Sequence, residues 1–328
     1  MRLIKFAYLF LFSLFLLAII SLFPHSAFAA PSWGVVSSPN PLDSNGDPIQ
    51  YSPVQGMSNS SANDVWGVGS SFSGNGFNLN QAFMLNSSDG HSWTVNKSSG
   101  TGYKSYLLGV AAIAPDNVWA VGSINRTSSN PNQVLLDHYN GSTWTVEDNP
   151  SDLNSSPFGS SEGLNAISAV SSSDIWAAGG FASGVGYTLV LHYNGSTWSV
   201  SEKGSHFTSG ETGSSDFDGS GLNAISAASS SNVWATGSTG GKMLMKHWNG
   251  SNWKAYNPDP SGNGFGATGY GIAALSDGTA FVAGDYIPDA NTTHIEPLIM
   301  KYDSSNDTWS VPTEMASIAS QLDTNQGG

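Results

Sequence analysis

"HYNGSTW" runs from His138 to Trp144 and returns unchanged from His192 to Trp198; a near-copy, "HWNGSNW", occupies His247–Trp253. The copies lie 54 and 55 positions apart. A chemical site is rarely written three times in one chain, whereas an architectural unit often is. The stretch reads as the end of one strand, a turn and the start of the next, because Asn and Gly tolerate the positive φ that a hairpin turn requires.

The self-similarity extends well beyond seven residues. Five copies of a longer unit occupy residues 54–95, 107–146, 164–200, 222–256 and 269–311. Each contains four apolar or β-branched runs, here called a, b, c and d, separated by Ser, Asn, Asp and Gly. The a–b turn is short and polar, as in Ser171–Asp174. Tryptophan recurs in strand b (Trp66, Trp119, Trp176, Trp234, with Phe281 in the fifth copy) and at the start of strand d (Trp93, Trp144, Trp198, Trp253, Trp309). A large ring at a fixed place in every copy is a packing residue, burying apolar area at about 25 cal/mol per Å². A surplus d-like strand with Trp33 covers 32–38. Four-stranded units repeated in this way predict an all-β fold, a β-propeller of four-stranded antiparallel blades, with five blades and six as the alternative. The glycines after strand b (Gly69, Gly122, Gly179-Gly180, Gly237, Gly284) are expected to mark its end, where the backbone turns tightly. The predicted organisation is a signal peptide over 1–29, a single propeller domain over 30–314 and a polar tail over 315–328.

"IWAAGG" (Ile175–Gly180) followed by "HYNGSTW", and "MKYDSSNDTWSVPTEM" (Met300–Met315) with Tyr302, Asp303 and Trp309, resemble the kelch-type, galactose-oxidase-like propeller repeat. The resemblance implies the fold and not an activity, since propellers host many functions. The double glycine is complete only at Gly179-Gly180, and a chain without cysteine has no thioether-linked copper-radical cofactor. "SSDGHSW" (Ser87–Trp93) is similar to the Asp-box turn of sialidases, but its spacing is one residue short, and Arg126 is the sole arginine beyond the signal segment, where that family implies three.

The N-terminus carries Arg2 and Lys5, an apolar run from Phe6 to Phe23 and a small-x-small site at Ala27–Ala29, the pattern of a secretory signal. The protein is therefore expected to be secreted or extracellular, or held by an N-terminal membrane anchor if the signal is not cleaved. Removing the signal leaves eight basic residues against 24 acidic ones. Such an acidic chain is not expected to bind nucleic acid or an anionic membrane surface; it suits cations, neutral ligands and solubility as a monomer. With no cysteine, the exported domain must hold itself together by packing.

The a–b and c–d turns share one face of such a fold and are short. The other connections are long and differ from copy to copy, which makes that loop face the expected binding surface. Its aromatic candidates are Phe77, Phe158, Phe181, Tyr187, Phe207, Phe217, Phe265 and Tyr286. "DFDGSG" (Asp216–Gly221) places Asp216, Asp218 and Ser220 as alternate oxygen ligands followed by glycine, a pattern that suits calcium; a polar Asx turn is the competing reading. No other cofactor is expected. The repeated histidines His138, His192 and His247 are expected to face solvent, and Asp64, Asp116, Asp174 and Asp277 to cap a–b turns. No catalytic set stands out. The function expected is a non-catalytic scaffold binding a glycan, a peptide or a surface protein. A glycan-acting enzyme with loop-face carboxylates and a purely structural module are the alternatives.

Overall fold

Every copy folds into one four-stranded antiparallel sheet with its strands in chain order. The computed structural model describes residues 38–42, 49, 52–73, 79–98, 104–125, 133–154, 161–182, 186–204, 221–260, 262, 266–288 and 295–312. Sheet 1 holds β1 (Val54–Ser61), β2 (Asp64–Ser73), β3 (Leu79–Ser87) and β4 (Thr94–Lys97). Sheet 2 holds β5 (Lys104–Ala114), β6 (Asn117–Asn125), β7 (Gln133–Tyr139) and β8 (Trp144–Val146). Sheet 3 holds β9 (Ser161–Ser171), β10 (Asp174–Ala182), β11 (Gly186–Tyr193) and β12 (Trp198–Lys203). Sheet 4 holds β13 (Gly221–Ser229), β14 (Asn232–Thr239), β15 (Lys242–Trp248) and β16 (Trp253–Tyr256). Sheet 5 holds β17 (Ala267–Ala274), β18 (Ala280–Tyr286), β19 (Glu296–Asp303) and β20 (Thr308–Ser310). The innermost strands β1, β5, β9, β13 and β17 pack on one another in that order. The fold is the expected all-β propeller, with five four-stranded blades. Residues 32–37 of the surplus strand and the tail from 315 lie outside the described residues.

The hairpin at "HYNGSTW" is an Asx turn. Asn140 Oδ1 accepts the N–H groups of Ser142 (3.1 Å) and Thr143 (3.0 Å), and Gly141 takes φ +88°. Asn194 and Asn249 repeat this with Gly195 at +92° and Gly250 at +93°. Strand c ends at Tyr139 and strand d begins with its partner Trp144, so both rings are delivered to the same edge of the sheet.

Those rings fill the seams between blades. Strand-b Trp66 meets Tyr139 (centroids 5.0 Å apart) and Trp144 (5.5 Å) of the next blade. Trp119 meets Tyr193 (4.9 Å) and Trp198 (5.4 Å), and Trp234 meets Tyr302 (4.6 Å) and Trp309 (5.2 Å). Among the described residues each seam between consecutive blades has its own apolar cluster, so the core there lies in slabs between sheets rather than at one centre.

The strand-b glycines do not mark the strand end. β6 continues to Asn125 beyond Gly122, and β10 to Ala182 beyond Gly179. A Cβ at Gly122, Gly179, Gly237 or Gly284 would stand 1.9–2.1 Å from a strand-a carbonyl oxygen, and one at Gly69 2.1 Å from that of Pro53, just before β1. The pairing register slips beside each of them, between Leu107 and Gly109 for example. Glycine is needed because a β-bulge presses strand a onto strand b. In blades 3 and 4 the residue skipped by the bulge is an asparagine that reaches across the seam. Asn165 Nδ2 donates to Leu222 O (2.8 Å), and Asn223 Nδ2 to Gly269 O (2.9 Å). Serine hydroxyls opposite strand-b tryptophans do the same: Ser58, Ser168 and Ser226 accept the N–H groups of Ala112, Ala227 and Ala274 at 3.0 Å.

Candidate functional site

Two residues before each strand-b tryptophan stands an oxygen acceptor: Asp64, Asn117, Asp174 and Asn232. Asp116 is one residue out of this register, and Asp277 caps its turn by accepting the Thr279 N–H at 2.8 Å. The repeated histidines are not solvent-facing. Cross-strand pairing lays each imidazole flat on the strand-b indole of its own blade, at centroid distances of 4.1 Å (His138 on Trp119), 4.0 Å (His192 on Trp176) and 4.0 Å (His247 on Trp234). Their Nε2 atoms meet the acceptors, Asn117 at 3.1 Å, Asp174 at 2.9 Å and Asn232 at 3.1 Å. Burial pushes the pKa of His138 and His247 down, so these two rings are neutral packing groups.

Acid and amide differ in what they do for the indole. Asp64 and Asp174 accept the indole N–H at 3.0 and 2.7 Å, whereas the buried indole N–H groups of Trp119 and Trp234, beside Asn117 and Asn232, have no partner. An unmade buried hydrogen bond costs about 1–3 kcal/mol. Asn117→Asp is therefore expected to raise stability by about 1 kcal/mol at pH 7. The gain should vanish below about pH 4 as the new carboxylate protonates, and urea titrations at the two pH values measure both.

The seam between blades 3 and 4 departs from the others. Trp248 stands where the other blades carry Tyr139, Tyr193 and Tyr302, and the larger ring holds the aromatic triangle open. Trp176 lies 5.8 Å from Trp248 and 5.9 Å from Trp253, longer than at every other described seam. Trp248 is held outward by its indole N–H, which donates to Ser230 O at 3.0 Å. A cleft of about 210 Å³ opens here on the turn face, lined by Asp174, Trp176, His192, Ser199, Ser201, Ser230 and Trp248. Here the imidazole Nε2 meets a carboxylate rather than an amide, whereas in blade 2 it is the Nδ1 of His138 that lies near one, 3.6 Å from Glu147. Burial would raise the pKa of Asp174, but hydrogen bonds from Ser230, His192 and Trp176 outweigh it and hold the carboxyl below its ordinary value.

The loop-face candidates fare differently. Tyr187 is half-buried against the blade 2–3 core. Tyr286 packs on the blade 4–5 core and donates its hydroxyl to Glu296 at 2.7 Å, which raises its pKa. Phe181 lies in β10, paired with Tyr187 and Glu162. Phe77, Phe158, Phe207, Phe217 and Phe265 lie outside the described residues, as do Asp216, Asp218 and Ser220. Among the described residues no three His, Asp or Glu side chains gather to hold a metal ion. The structural tryptophans Trp66, Trp119, Trp176 and Trp234 are all buried. Of the strand-d set Trp198 is buried, and Trp93, Trp144, Trp253 and Trp309 are partly buried.

One buried acidic group has no repeat pattern to mark it in the sequence. Glu162, near the loop-face end of β9, is only 8% exposed. It occupies the place of Ser105 in blade 2, whose hydroxyl accepts the Ala82 N–H of the preceding sheet at 2.9 Å. Burial pushes its carboxyl up to about 7.

No protein-family model matches the chain, and no curated protein matches it. Solved structures of similar outline exist. YCF48 bound to D1 peptide is 12% identical with a TM-score of 0.46, the match covering 79% of this chain and 66% of that one. The SapL1 lectin in complex with alpha methyl fucoside is 14% identical with a TM-score of 0.45, covering 79% and 78%. The fucose-specific lectin from Aleuria aurantia is 14% identical with a TM-score of 0.44, covering 80% and 77%.

Proposed function

We propose that the protein is an exported, non-catalytic propeller of kelch type that serves as a binding scaffold for a glycan or protein partner. The observation that carries this reading is where the repeated polar groups point. The imidazoles lie on indoles, and the acids and amides of the a–b turns are bonded to indoles, imidazoles or backbone. The repeat's chemistry thus holds sheets together, while the departures from it, in the turn-face cleft and in the variable loops, are free to recognise a ligand. A glycan-cleaving centre would need two carboxyl groups about 5–10 Å apart across a cleft, and the turn-face cleft is lined by one, Asp174.

The test is a glycan array together with capture on a panel of immobilised surface peptides, each run with and without added calcium. Saturable binding to either without turnover of the ligand is expected. Product release from a bound glycan would transfer the protein to the hydrolases, and silence on both would leave a structural module. A calcium-dependent signal, or a rise of several degrees in Tm on adding calcium, is the expected sign of a cation at Asp216, Asp218 and Ser220.

A further inference from the structure

We infer that the turn-face cleft between blades 3 and 4 is a subsite for one neutral, hydroxyl-rich ring, a single sugar residue. The inference rests on the binding-scaffold reading and gives it a place and a ligand class. The cleft opens because of the larger ring of Trp248, and a second position of the repeat differs beside it. Trp248 replaces the tyrosine that closes each of the other described seams, and Asp174 replaces the asparagine that faces the imidazole in blades 2 and 4.

The lining selects the ligand by elimination. Among the described residues no Lys or Arg side chain borders the cleft to supply an anion with a counter-charge. The single carboxylate, Asp174, already accepts from Trp176 at 2.7 Å, from His192 at 2.9 Å and from the Ser230 hydroxyl, and so has little left to offer a bare cation. What remains is an indole wall at Trp248, the hydroxyl of Ser201, and the acceptor side of the Ser199 hydroxyl, whose O–H donates to His192 O at 3.4 Å. Ser201 Oγ accepts the Trp253 indole N–H at 3.0 Å, which leaves its own O–H to donate. Hydroxyls that between them accept and donate, beside an aromatic face, match a pyranose: C–H groups against the indole, O–H groups against oxygen. The volume, about 210 Å³, is below the roughly 300–1,000 Å³ of drug-sized sites and suits one ring rather than a chain.

Two substitutions test this by converting the seam to its sisters, so the fold has a built-in precedent for each. Trp248→Tyr restores the residue of the other seams and closes the cleft; Asp174→Asn restores the partner that faces the imidazole in blades 2 and 4. The probe is a panel of methyl α- and β-pyranosides followed by saturation-transfer NMR on the full chain. At least one glycoside is expected to bind the parent, with Trp248→Tyr weakening it tenfold or more and Asp174→Asn, whose carboxylate is already taken by Trp176, His192 and Ser230, weakening it by no more than about twofold, while Tm moves by no more than a few degrees in either. Ser199→Ala, at an exposed position, gives a third readout with no packing change and is expected to weaken binding severalfold. Unchanged binding in Trp248→Tyr would overturn the inference while leaving the scaffold reading intact, because the sugar would then sit elsewhere. Silence of the whole panel on the parent also overturns it, whereas peptide capture alone would keep the scaffold and discard the sugar.

Discussion

Trp234→Ala is expected to lower the free energy of unfolding by about 3–5 kcal/mol, the usual cost of deleting a large buried aromatic ring. The indole is fully buried. It lies under His247 at 4.0 Å and is ringed by Tyr302 at 4.6 Å, Trp309 at 5.2 Å and Tyr256 at 5.5 Å. Removing it empties the middle of the blade 4–5 seam, where Met243, Met245 and Val282 cannot collapse far without breaking sheet pairing. Because each described seam joins neighbours in the chain, the damage should be local. Hydrogen exchange is expected to accelerate in β17–β20 well before β5–β12. Urea titration reads the energy and exchange mass spectrometry the location. A loss below about 1 kcal/mol, or uniform acceleration across the sheets, would contradict the view that the indoles hold consecutive blades together.

The second large effect is one of pH. Glu162 has its carboxyl raised by burial from 4.5 to about 7. The unfolded chain gives up that proton near 4.5, the folded one near 7. The neutral carboxyl therefore contributes its full stability below about pH 4.5, and the contribution is lost as pH rises through 7. The loss amounts to at most about 3 kcal/mol, less any relaxation around the charged form. His138 and His247 run the opposite way, since their pKa values are lowered by burial and protonation destabilises them as pH falls through 6.5. The comparison of parent with Glu162→Gln separates the two, because only the Glu162 contribution disappears. The variant is expected to match the parent near pH 5 and to exceed it by about 2–3 kcal/mol at pH 8.5. Parallel stability curves across that range would show that the carboxyl reaches water in the folded state.

The blade plan was legible because period and ring placement are local signals: a polar turn, an apolar strand and an indole at fixed spacing. The same pattern does not show where the histidines lie. A polar residue at the end of a strand usually faces water, but cross-strand pairing with a tryptophan gives His138 an aromatic plane to lie on, and pairing register is not written in the spacing. The strand-b glycines stand out in the sequence but their reason does not, because the steric demand comes from a bulge in the neighbouring strand. The bulge did leave a trace, the repeated "LNAIS" of blades 3 and 4, whose asparagine is the residue skipped at Asn165 and Asn223. The cleft could not be foreseen on the turn face, where repetition suggested monotony. Its signal is Trp248, one of the two letters by which "HWNGSNW" differs from "HYNGSTW".

That near-identity of hairpins has a cost during folding. The β7–β8 and β11–β12 ends carry the same seven residues, so an unfolded chain offers Trp66 and Trp119 two equally good docking partners. Ordered emergence from the ribosome resolves the ambiguity, since the earlier hairpin is present first. Dilution from denaturant does not, and at high concentration it is expected to yield mis-threaded and domain-swapped species. In those species a hairpin caps the wrong neighbour, or the same neighbour in another molecule.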